Sequence, residues 1–382
     1  MSIYYAVLLS VLNQIGLKGS KMLVALYALD LHASPFTVGL LISMYAIFPL
    51  LLAIYAGRIS DRFGVRLPMV MGSFGMCGSL LIPIFFPSLP ALFVSASLVG
   101  IANIFFHVSS HNLVGALGEA HLRTANFGTL SLGAAISGMI GPMLAGFLVD
   151  RGGYAVTYYV LAAITIIPGT ALLCKGGSIP ARASEGKQAV SGGVRELLGI
   201  GRLRSILLTS GVILTGIDLF NFYMPIHGRS IGLSASVIGV IIGMQAAAAF
   251  VVRFWMPWTA NRFGEMRVLT WSLLMAGCTF LLFPLFKEPL ILGAISFLLG
   301  LGLGCGQPLS IILTYSFSPP GRSGEALGMR LTVNKFTQIM VPLVFGSLGN
   351  AFGIYPIFWA SAVILLAGGV DNARQDQSRT TP

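Results

Sequence analysis

Twelve runs of mostly apolar residues, each about 20 residues long, constrain the fold of this chain more than any other feature of its sequence. A helix of that length crosses a membrane, because it rises about 1.5 Å per residue and the hydrocarbon core is about 30 Å thick. Charged residues make up only 9% of the chain and the mean hydropathy is +0.87, whereas a soluble domain is about 25% charged. The sequence therefore predicts an all-α integral membrane protein, with spans at 4–28, 36–56, 67–86, 91–115, 125–148, 154–174, 205–227, 235–257, 268–286, 290–315, 326–348 and 353–370.

The twelve spans fall into two groups of six, separated by the longest polar stretch of the chain. This stretch is rich in Gly and Ser and contains six Lys or Arg residues. The predicted organisation is an N-terminal six-helix bundle over 1–174, a linker over 175–204, a C-terminal six-helix bundle over 205–370 and a polar tail over 371–382. The first residues lack a basic region and a small-residue cleavage site, so we expect a first spanning helix there and not a removable signal peptide.

Positive charge is unevenly distributed between the loops. Of the 23 Lys and Arg residues, 15 lie in loops on one side of the predicted membrane, three lie on the other side, and five lie inside spans. An excess of Lys and Arg marks the cytoplasmic face, so we expect both termini and the linker to be cytoplasmic, in a plasma membrane such as the bacterial cytoplasmic membrane. This topology explains the net charge of +11, and no nucleic-acid partner is expected.

The two halves of the chain resemble each other at a constant offset of 200 residues. The segment 34–44 matches 234–244, and DRFG at 61–64 matches NRFG at 261–264. A shared pattern of glycine and proline recurs as Gly128, Pro142, Gly146 and Gly153 in the first half and Gly328, Pro342, Gly346 and Gly353 in the second. Duplicated six-helix halves, with a substrate site between them near the membrane midplane, are typical of secondary transporters.

The loop between the second and third spans carries a charged motif, GRISDRFGVR at 57–66. It resembles the best-known signature of the major facilitator superfamily, and with the spans and the repeat this resemblance covers the whole chain. The matching residues are Gly57, Asp61, Arg62, Gly64 and Arg66. Val65 occupies a position that is usually basic. The resemblance implies two pseudo-symmetric six-helix bundles and a cytoplasmic latch, formed by Asp61 and Arg62 near the start of the eleventh helix; the alternative is an ordinary charged turn.

The second copy of this loop is weaker than the first. It keeps Arg262 and Gly264, whereas Pro257 and Asn261 replace the glycine and the aspartate. Arg253, towards the predicted cytoplasmic end of the eighth span, is grouped with these gating residues. Its long side chain can latch a gate or only extend its charge to the membrane surface.

The fifth span resembles a second motif of the family, the one associated with its antiporters. The matching positions are Gly128, Ser137, Gly141, Pro142 and Gly146. Ser137 and Ala145 stand where glycine is usual, so the match is incomplete. The resemblance favours export, although glycines and a proline would also permit a bend and close helix packing.

Ionisable and amide side chains inside the spans are candidate substrate or coupling groups, because a charge buried in a membrane costs about 2.5–3.5 kcal/mol and usually faces a cavity. They recur at helical spacing on four spans. The candidates are Gln14, Lys18, Lys21, Asn103, His107, His111, Asp218, Asn221, Arg330, Asn334 and Lys335. The resemblance implies a central cavity lined by helices 1, 4, 7 and 10, and three of the four groups lie on that set; the tenth span offers mainly Gln307 and Tyr315.

Several of these candidates have a second interpretation. Arg330, like Arg253, lies towards the cytoplasmic end of its span and can serve a gate. Asp218 is the only carboxylate well inside a span, and it is either a substrate or proton group or a structural partner of Lys18 or Lys335.

The two histidines of the fourth span, His107 and His111, can be packing residues, proton carriers or metal ligands. Two histidines alone make a weak metal site, so no metal site is assigned. Transport of a metal or a metal chelate is kept as one alternative function.

The sequence contains no GxxxxGK[ST], HExxH or GxSxG motif, which disfavours an ATP-driven pump and a membrane-embedded enzyme. We therefore expect a secondary transporter that works by alternating access. Five cations against one carboxylate inside the spans predict a small anionic or amphipathic solute. The resemblance of the fifth span to the antiporter motif implies that this solute is exported in exchange for protons. Uptake of an organic anion with protons is the alternative. No cofactor is expected, the energy source being a proton gradient, and the expected partners are the solute and the lipid bilayer, with the chain acting as a monomer.

Overall fold

The structure is a computed structural model that describes residues 3–117, 123–175, 194–319 and 322–377. All regular secondary structure in these ranges is helical, which confirms the predicted all-α fold. Most of the predicted linker, residues 176–193, and the end of the predicted tail, residues 378–382, lie outside the described residues.

Thirteen α-helices follow one another along the described chain. They are α1 (Ile3–Asp30), α2 (Pro35–Phe63), α3 (Arg66–Phe85), α4 (Leu89–Ala116), α5 (Arg123–Lys175), α6 (Val194–Gly199), α7 (Gly201–Ser230), α8 (Ala235–Phe263), α9 (Glu265–Leu282), α10 (Pro289–Gly304), α11 (Gly306–Phe317), α12 (Ser323–Phe352) and α13 (Tyr355–Gln377), with a 3₁₀ turn at Phe283–Leu285.

The predicted spans coincide with these helices. α5 contains the fifth and sixth spans and is interrupted at Gly153, whose φ of 73° lies outside the helical range. The tenth span is divided into α10 and α11 at Cys305. Within the described ranges, nine helical stretches are long and apolar enough to cross a membrane, and the longest, Asn126–Cys174, has 49 residues and so holds two spans. The remaining two spans lie in α1 and α12, which carry intramembrane cations.

Local sequence determines where these helices begin. The Ser34 side chain caps α2 by accepting a hydrogen bond from the N–H of Thr37 at 3.2 Å. Ser88 caps α4 in the same way, accepting from the N–H of Ala91 at 3.4 Å. A proline occupies one of the first two positions of both helices, where its missing N–H would have no partner in any case.

The internal repeat of the sequence is also a repeat of helix boundaries. α2 and α8 begin at Pro35 and Ala235 and end at Phe63 and Phe263, which preserves the offset found in the sequence. Residues with a positive φ recur at the same offset, as Gly64 with Gly264 and Gly153 with Gly353. Glycine adopts this backbone conformation without the steric penalty of a Cβ atom, so these glycines set the turns in both halves.

The chain forms two compact units. The first unit contains Met1–Glu185 and Met224–Gly243. In it α1 packs along α5, α3 packs against α4 and α5, and α2 packs against α4. Its buried apolar cluster includes Leu9, Met69 and Phe106.

The second unit contains Gly186–Tyr223 and Met244–Pro382. In it α9 packs against α10 and α13, and α11 packs against α12. An aromatic cluster, with ring centroids 5.5–6.4 Å apart, is formed by Phe220, Phe280, Phe283 and Phe358. The glycine-rich tenth span packs closely on α8, since a Cβ atom on Gly300 would overlap the carbonyl oxygen of Gln245.

Candidate functional site

Lys18 lies at a close approach of α1 and α5. A Cβ atom on Gly141 would lie 2.9 Å from the carbonyl oxygen of Ile15 and 3.0 Å from the Cβ atom of Lys18 and the nitrogen of Gly19. Any side chain at position 141 would therefore force the two helices apart. The antiporter-like motif of the fifth span therefore packs directly against Lys18, a candidate substrate residue of the first span.

A cavity of about 40 Å³ with several polar side chains in its lining lies between α1, α4 and α5. It is lined by Ser10, Val11, Gln14, His107, His111, Leu130, Gly133, Ala134 and Ser137. The rings of His107 and His111 lie with their centroids 4.2 Å apart, inclined by 33°. This volume accommodates a water molecule with polar partners on three helices. The structure therefore brings candidates of the first and fourth spans together with Ser137 of the antiporter-like motif.

Among the residues that line this cavity, only His107 and His111 have side chains that ordinarily bind metals. Among the described residues, no group of three or more His, Cys, Asp and Glu side chains is arranged to hold a metal ion. Two imidazoles in contact fit proton exchange or packing better than a stable metal site, which ordinarily has at least three protein ligands.

Two buried amides lie on the same helices as this cavity. Asn13, on α1, is fully buried, and neither of its side-chain polar atoms has a hydrogen-bond partner within the described part of the chain. The same holds for Oδ1 of Asn103 on α4. A buried amide without partners is costly. Asn13 is therefore a further candidate for contact with water or solute, one that the sequence analysis did not single out.

Lys21 lies one turn beyond Lys18 and contacts an aromatic ring. Its Nζ atom is 5.6 Å from the centroid of the Tyr45 ring, and the Tyr45 hydroxyl lies 3.3 Å from Oγ of Ser20 and donates to it. A cation over an aromatic face is stabilised by the ring quadrupole. This contact packs the Lys21 side chain against Tyr45 of α2.

Arg330 is the most deeply buried of the predicted cations, with 4% of its surface exposed. Its Nε and Nη2 atoms donate to Oγ of Ser310 at 3.1 and 2.8 Å. Nη2 also donates to the backbone carbonyl of Gln307 at 3.2 Å and to the Gln307 side-chain oxygen. All these acceptors are neutral and lie on α11.

Asn334 joins the same network, one turn along α12 from Arg330. It donates from Nδ2 to the Gln307 side-chain oxygen at 3.4 Å and accepts a hydrogen bond from Ser210 of α7 at 2.9 Å. The structure thus brings two predicted residues, Arg330 and Asn334, together with Gln307, Ser310 and Ser210.

The other candidates of the second unit are outside this network. Lys335 donates to the side-chain oxygen of Gln338 at 3.0 Å. Asn221 donates to the carbonyl of Ile217 in its own helix at 2.7 Å. Asp218 is half-buried on α7.

Two arginines of the charged loop after the second span lie in different surroundings. Arg66 donates to the carbonyls of Leu172 at 3.0 Å and Leu173 at 2.9 Å. These carbonyls belong to the last turn of α5, where no intrahelical donor remains. Arg62 is exposed, with its guanidinium 5.2 Å from the centroid of the neighbouring Phe63 ring. Arg66 therefore caps the C-terminal end of α5.

The two glycines of this motif differ in their surroundings. Gly64 has a φ of 77° and forms the turn between α2 and α3. Gly57 has open space around it. The side chain of Asp61 lies outside the described residues, so the latch of Asp61 and Arg62 stays a prediction.

In the second copy of the motif, Arg253 has a partner that the sequence did not indicate. It donates from Nε to the carbonyl of Gly304 at 3.1 Å, directly before the interruption at Cys305. Gly264, with a φ of 88°, forms the turn before α9, and Arg262 is exposed.

The antiporter-like motif packs against α8 within the first unit. A Cβ atom on Gly146 would overlap the carbonyl oxygen of Ala235, and one on Gly239 would overlap the carbonyl oxygen of Pro142. Gly128, by contrast, has no neighbour within 4 Å of a Cβ position. Gly146 of the fifth span and Gly239 of α8 thus permit a backbone-to-backbone approach of these helices, whereas Gly128 does not contribute to it.

Polar contacts at the end of the fifth span reinforce this approach. Asp150 accepts hydrogen bonds from the N–H groups of Ala235 and Ser236. Arg229 forms an ion pair with Asp30 at 3.1 Å and donates to the Tyr154 hydroxyl at 3.3 Å. From the sequence alone, Arg229 is only one of the three cations predicted in loops on the side opposite the linker. The sequence signal for these contacts is the position of two carboxylates, Asp30 and Asp150, just after the first and fifth spans.

The sequence matches one protein family and several curated proteins. The sequence profile of the Major Facilitator Superfamily matches residues 6–205 and 206–373. The chain is 22% identical over 343 residues to the multidrug resistance protein MdtG of Klebsiella pneumoniae (strain 342), covering 87% of this chain and 82% of that protein. It is 23% identical over 328 residues to the uncharacterized MFS-type transporter YuxJ of Bacillus subtilis (strain 168), covering 82% and 81%.

Solved structures share the fold. A bacterial homologue of the human lysosomal transporter Spinster, in an inward-facing and unoccupied conformation, aligns with a TM-score of 0.79 at 13% identity, covering 97% of this chain and 95% of that one. A POT family transporter in complex with a thioalcohol-conjugated peptide aligns with a TM-score of 0.81 at 12% identity, covering 100% and 96%. Since the profile matches both halves, the chain belongs to the Major Facilitator Superfamily and is a multi-pass membrane transporter of a small-molecule solute, not an enzyme.

Proposed function

We propose that this transporter exports a small anionic or amphipathic solute in exchange for protons, by alternating access between two states. The observation that carries the proposal is the charge inside the spans, where five cations occur with one carboxylate, that of Asp218. The cations are Lys18, Lys21, Arg253, Arg330 and Lys335, and each is buried or half-buried.

Electrostatics favours an anion at a site with this composition. One carboxylate neutralises at most one cation, so the membrane-embedded part keeps a net positive charge whichever residue pairs with Asp218. Two unit charges 4 Å apart interact with about 1 kcal/mol in water and about 4 kcal/mol at an effective dielectric constant of about 20. An excess of positive charge inside the spans attracts anions and repels lipophilic cations.

Proton coupling is proposed for the cavity that His107 and His111 line. Imidazole is the side chain whose ordinary titration lies between pH 5 and 8, and the cavity has room for water beside Gln14 and Ser137. Asp218 is the second candidate proton carrier. On this proposal a proton gradient supplies the energy, and no bound cofactor takes part.

Export is favoured over uptake by the fifth span and by the relatives. Gly141 and Gly146 of the antiporter-like motif are both at close helix approaches, as expected if the motif has a defined role. The relatives in Klebsiella and Serratia are named multidrug resistance proteins, and a transporter ordinarily confers resistance by export. Uptake of an organic anion is kept as the alternative, because the excess of cations does not depend on direction.

The environment of the protein is part of the same proposal. Since 15 of the 23 Lys and Arg residues fall on one side of the spans, we place both termini and the linker in the cytoplasm. The host membrane is proposed to be a bacterial inner membrane, in which the chain acts as a monomer.

Proteoliposomes with an imposed pH gradient test this function. Flux of organic anions such as benzoate and salicylate is measured beside that of tetraphenylphosphonium, a lipophilic monocation. We expect anion flux opposite to proton flux, reduced in Lys18→Gln and Lys335→Gln and retained in Lys287→Gln, a matched change at an exposed lysine. Anion and proton movement in the same direction would instead establish uptake. Tight tetraphenylphosphonium binding that survives both lysine substitutions would contradict an anionic solute.

A further inference from the structure

Arg330, in the second unit, is a buried cation whose described hydrogen-bond partners are all uncharged. Its guanidinium is buried, and its hydrogen bonds go to Ser310 and Gln307, whose acceptor atoms are uncharged. No carboxylate in the described ranges forms an ion pair with it. Within the described ranges its hydrogen bonds come from Nε and Nη2, which leaves Nη1 as a further donor.

A buried guanidinium without an anion is unfavourable. Removing a cation from water costs several kcal/mol even after the protein relaxes, and neutral acceptors recover only part of that. Arginine is seldom fully buried without a paired charge. Inside a membrane, an ionisable residue of this kind ordinarily faces a substrate or ion pathway.

Gln307 supplies a second unused donor beside Arg330. Its side-chain oxygen accepts from Arg330 and, at 3.4 Å, from Asn334, which fixes the orientation of the amide. The Nε2 atom of the same amide is buried and has no hydrogen-bond partner within the described part of the chain. Asn334 is fixed in turn by Ser210 at 2.9 Å.

We propose that Arg330 and Gln307 form a subsite for a carboxylate group of the transported solute. This inference rests on the proposed function and names the chemical group that the solute carries. One carboxylate oxygen accepts from the Arg330 guanidinium and the other from the Gln307 amide, which uses both free donors. A planar guanidinium suits a planar carboxylate, whereas a lysine ammonium offers only a point charge.

The position of Gln307 in the tenth span suits a subsite that changes between states. It follows the interruption at Cys305, whose N–H is directed to the carbonyl of Leu303 and not to that of the residue four positions earlier. Arg253 binds the carbonyl of Gly304 on the other side of the interruption. Interrupted helices commonly form transporter sites, because their exposed backbone groups and local freedom serve binding.

The test uses the full chain in lipid nanodiscs, with acetate, benzoate and succinate as probes and acetamide and benzamide as neutral counterparts. Thermal stability and direct binding are both measured. Carboxylates should bind the wild-type protein and raise its melting temperature, and the amides should not. Arg330→Gln and Arg330→Lys should weaken carboxylate binding about 10- to 100-fold, the range for a hydrogen bond to a charged group. Arg374→Lys, at an exposed position near the end of α13, should leave it unchanged.

Gln307→Glu is the second variant, because removal of a buried arginine can also impair folding. It offers Arg330 an internal carboxylate, so the melting temperature should rise while carboxylate binding is lost. Wild-type carboxylate affinity in folded Gln307→Glu or Arg330→Lys protein would overturn the subsite. If binding is lost only in Lys18→Gln and Lys335→Gln, the subsite is wrong and the proposed function stands. If no anion binds the wild-type protein, the proposed function fails together with the subsite.

Discussion

The carboxylate of Asp150, at the end of the fifth span, accepts a hydrogen bond from the backbone N–H of Ser236 at 2.8 Å, in the first turn of α8. Its other oxygen accepts from the N–H of Ala235 at 3.0 Å. A carboxylate at a helix N-terminus satisfies orphan donors and interacts favourably with the helix dipole. Asp150 belongs to the first half of the sequence repeat and α8 to the second half. This cap therefore links residues of the two halves inside the first unit.

Loss of this cap should destabilise the first unit. We expect Asp150→Ala to lower the free energy of unfolding by about 0.5–2 kcal/mol, the range for a lost helix cap. Asp150→Asn, which keeps one acceptor but loses the charge, should cost less. Thermal unfolding in detergent measures both, with Lys287→Ala as the control at an exposed position. Equal melting temperatures for Asp150→Ala and the control would show that the cap contributes nothing.

The ion pair of Asp30 and Arg229 should contribute weakly and depend on salt. Its side chains are 42% and 33% exposed, and exposed pairs contribute about 0.2–1 kcal/mol. We expect a double-mutant cycle of Asp30→Asn and Arg229→Gln to give a coupling energy in this range at low salt, falling as ionic strength rises. Tyr154→Phe is the companion change, since its hydroxyl contacts both groups. A coupling that does not respond to salt would argue against an electrostatic link.

The helices and the repeat could be predicted from the sequence because both follow from local signals. Apolar length determines a span, and features such as Ser34 before a proline or Gly64 in a turn determine where a helix starts or ends. The interruption at Cys305 has no such signal. Its backbone dihedral angles are helical, and only the hydrogen-bond pattern changes.

The antiporter-like motif offers a test of close packing with an internal control. Gly146→Ala should lower stability by about 1–3 kcal/mol, the usual cost of overpacking, because its Cβ atom would overlap the carbonyl oxygen of Ala235. Gly128→Ala belongs to the same motif but meets open space, so it should be neutral or slightly stabilising in a helix. Melting temperatures of the two variants decide this. Equal losses at both positions would mean that backbone flexibility, and not contact, explains these glycines.

Arg66 and Arg62, two cations of one motif, should differ in their effect. Arg66→Gln removes the donors to the carbonyls of Leu172 and Leu173, and hydrogen bonds to a charged group contribute about 1.5–3 kcal/mol. We expect it to lower thermal stability, whereas Arg62→Gln should leave stability unchanged and alter transport only if the predicted latch exists. Thermal unfolding and proteoliposome flux, measured on both variants, separate the two roles. A transport defect in stable Arg66→Gln protein would contradict a purely structural role.

The types of residue in the candidate site could be predicted from the sequence, but the contacts between these residues could not. The cations and amides of the first, fourth, seventh and eleventh spans are visible because polar residues are rare in apolar runs. That Gln14 and His107 line one cavity, or that Arg330 contacts Gln307, depends on helix rotation and on contacts between distant segments. Helical spacing within one span carries no information about the rotation of its neighbour.

Lys18 and Asp218 should affect different properties of transport. Lys18→Gln removes a positive charge beside the contact with Gly141 while keeping a similar length, so anion affinity should fall about 10- to 100-fold if the lysine contacts the solute. Asp218→Asn removes the only carboxylate well inside a span, so it should mainly flatten the dependence of transport on pH. Anion affinity measured from pH 5 to 8 on both variants, with His107→Gln as the comparison, separates these effects. Loss of pH dependence in His107→Gln alone would assign the proton to the histidine cavity and leave Asp218 as a structural partner of a buried cation.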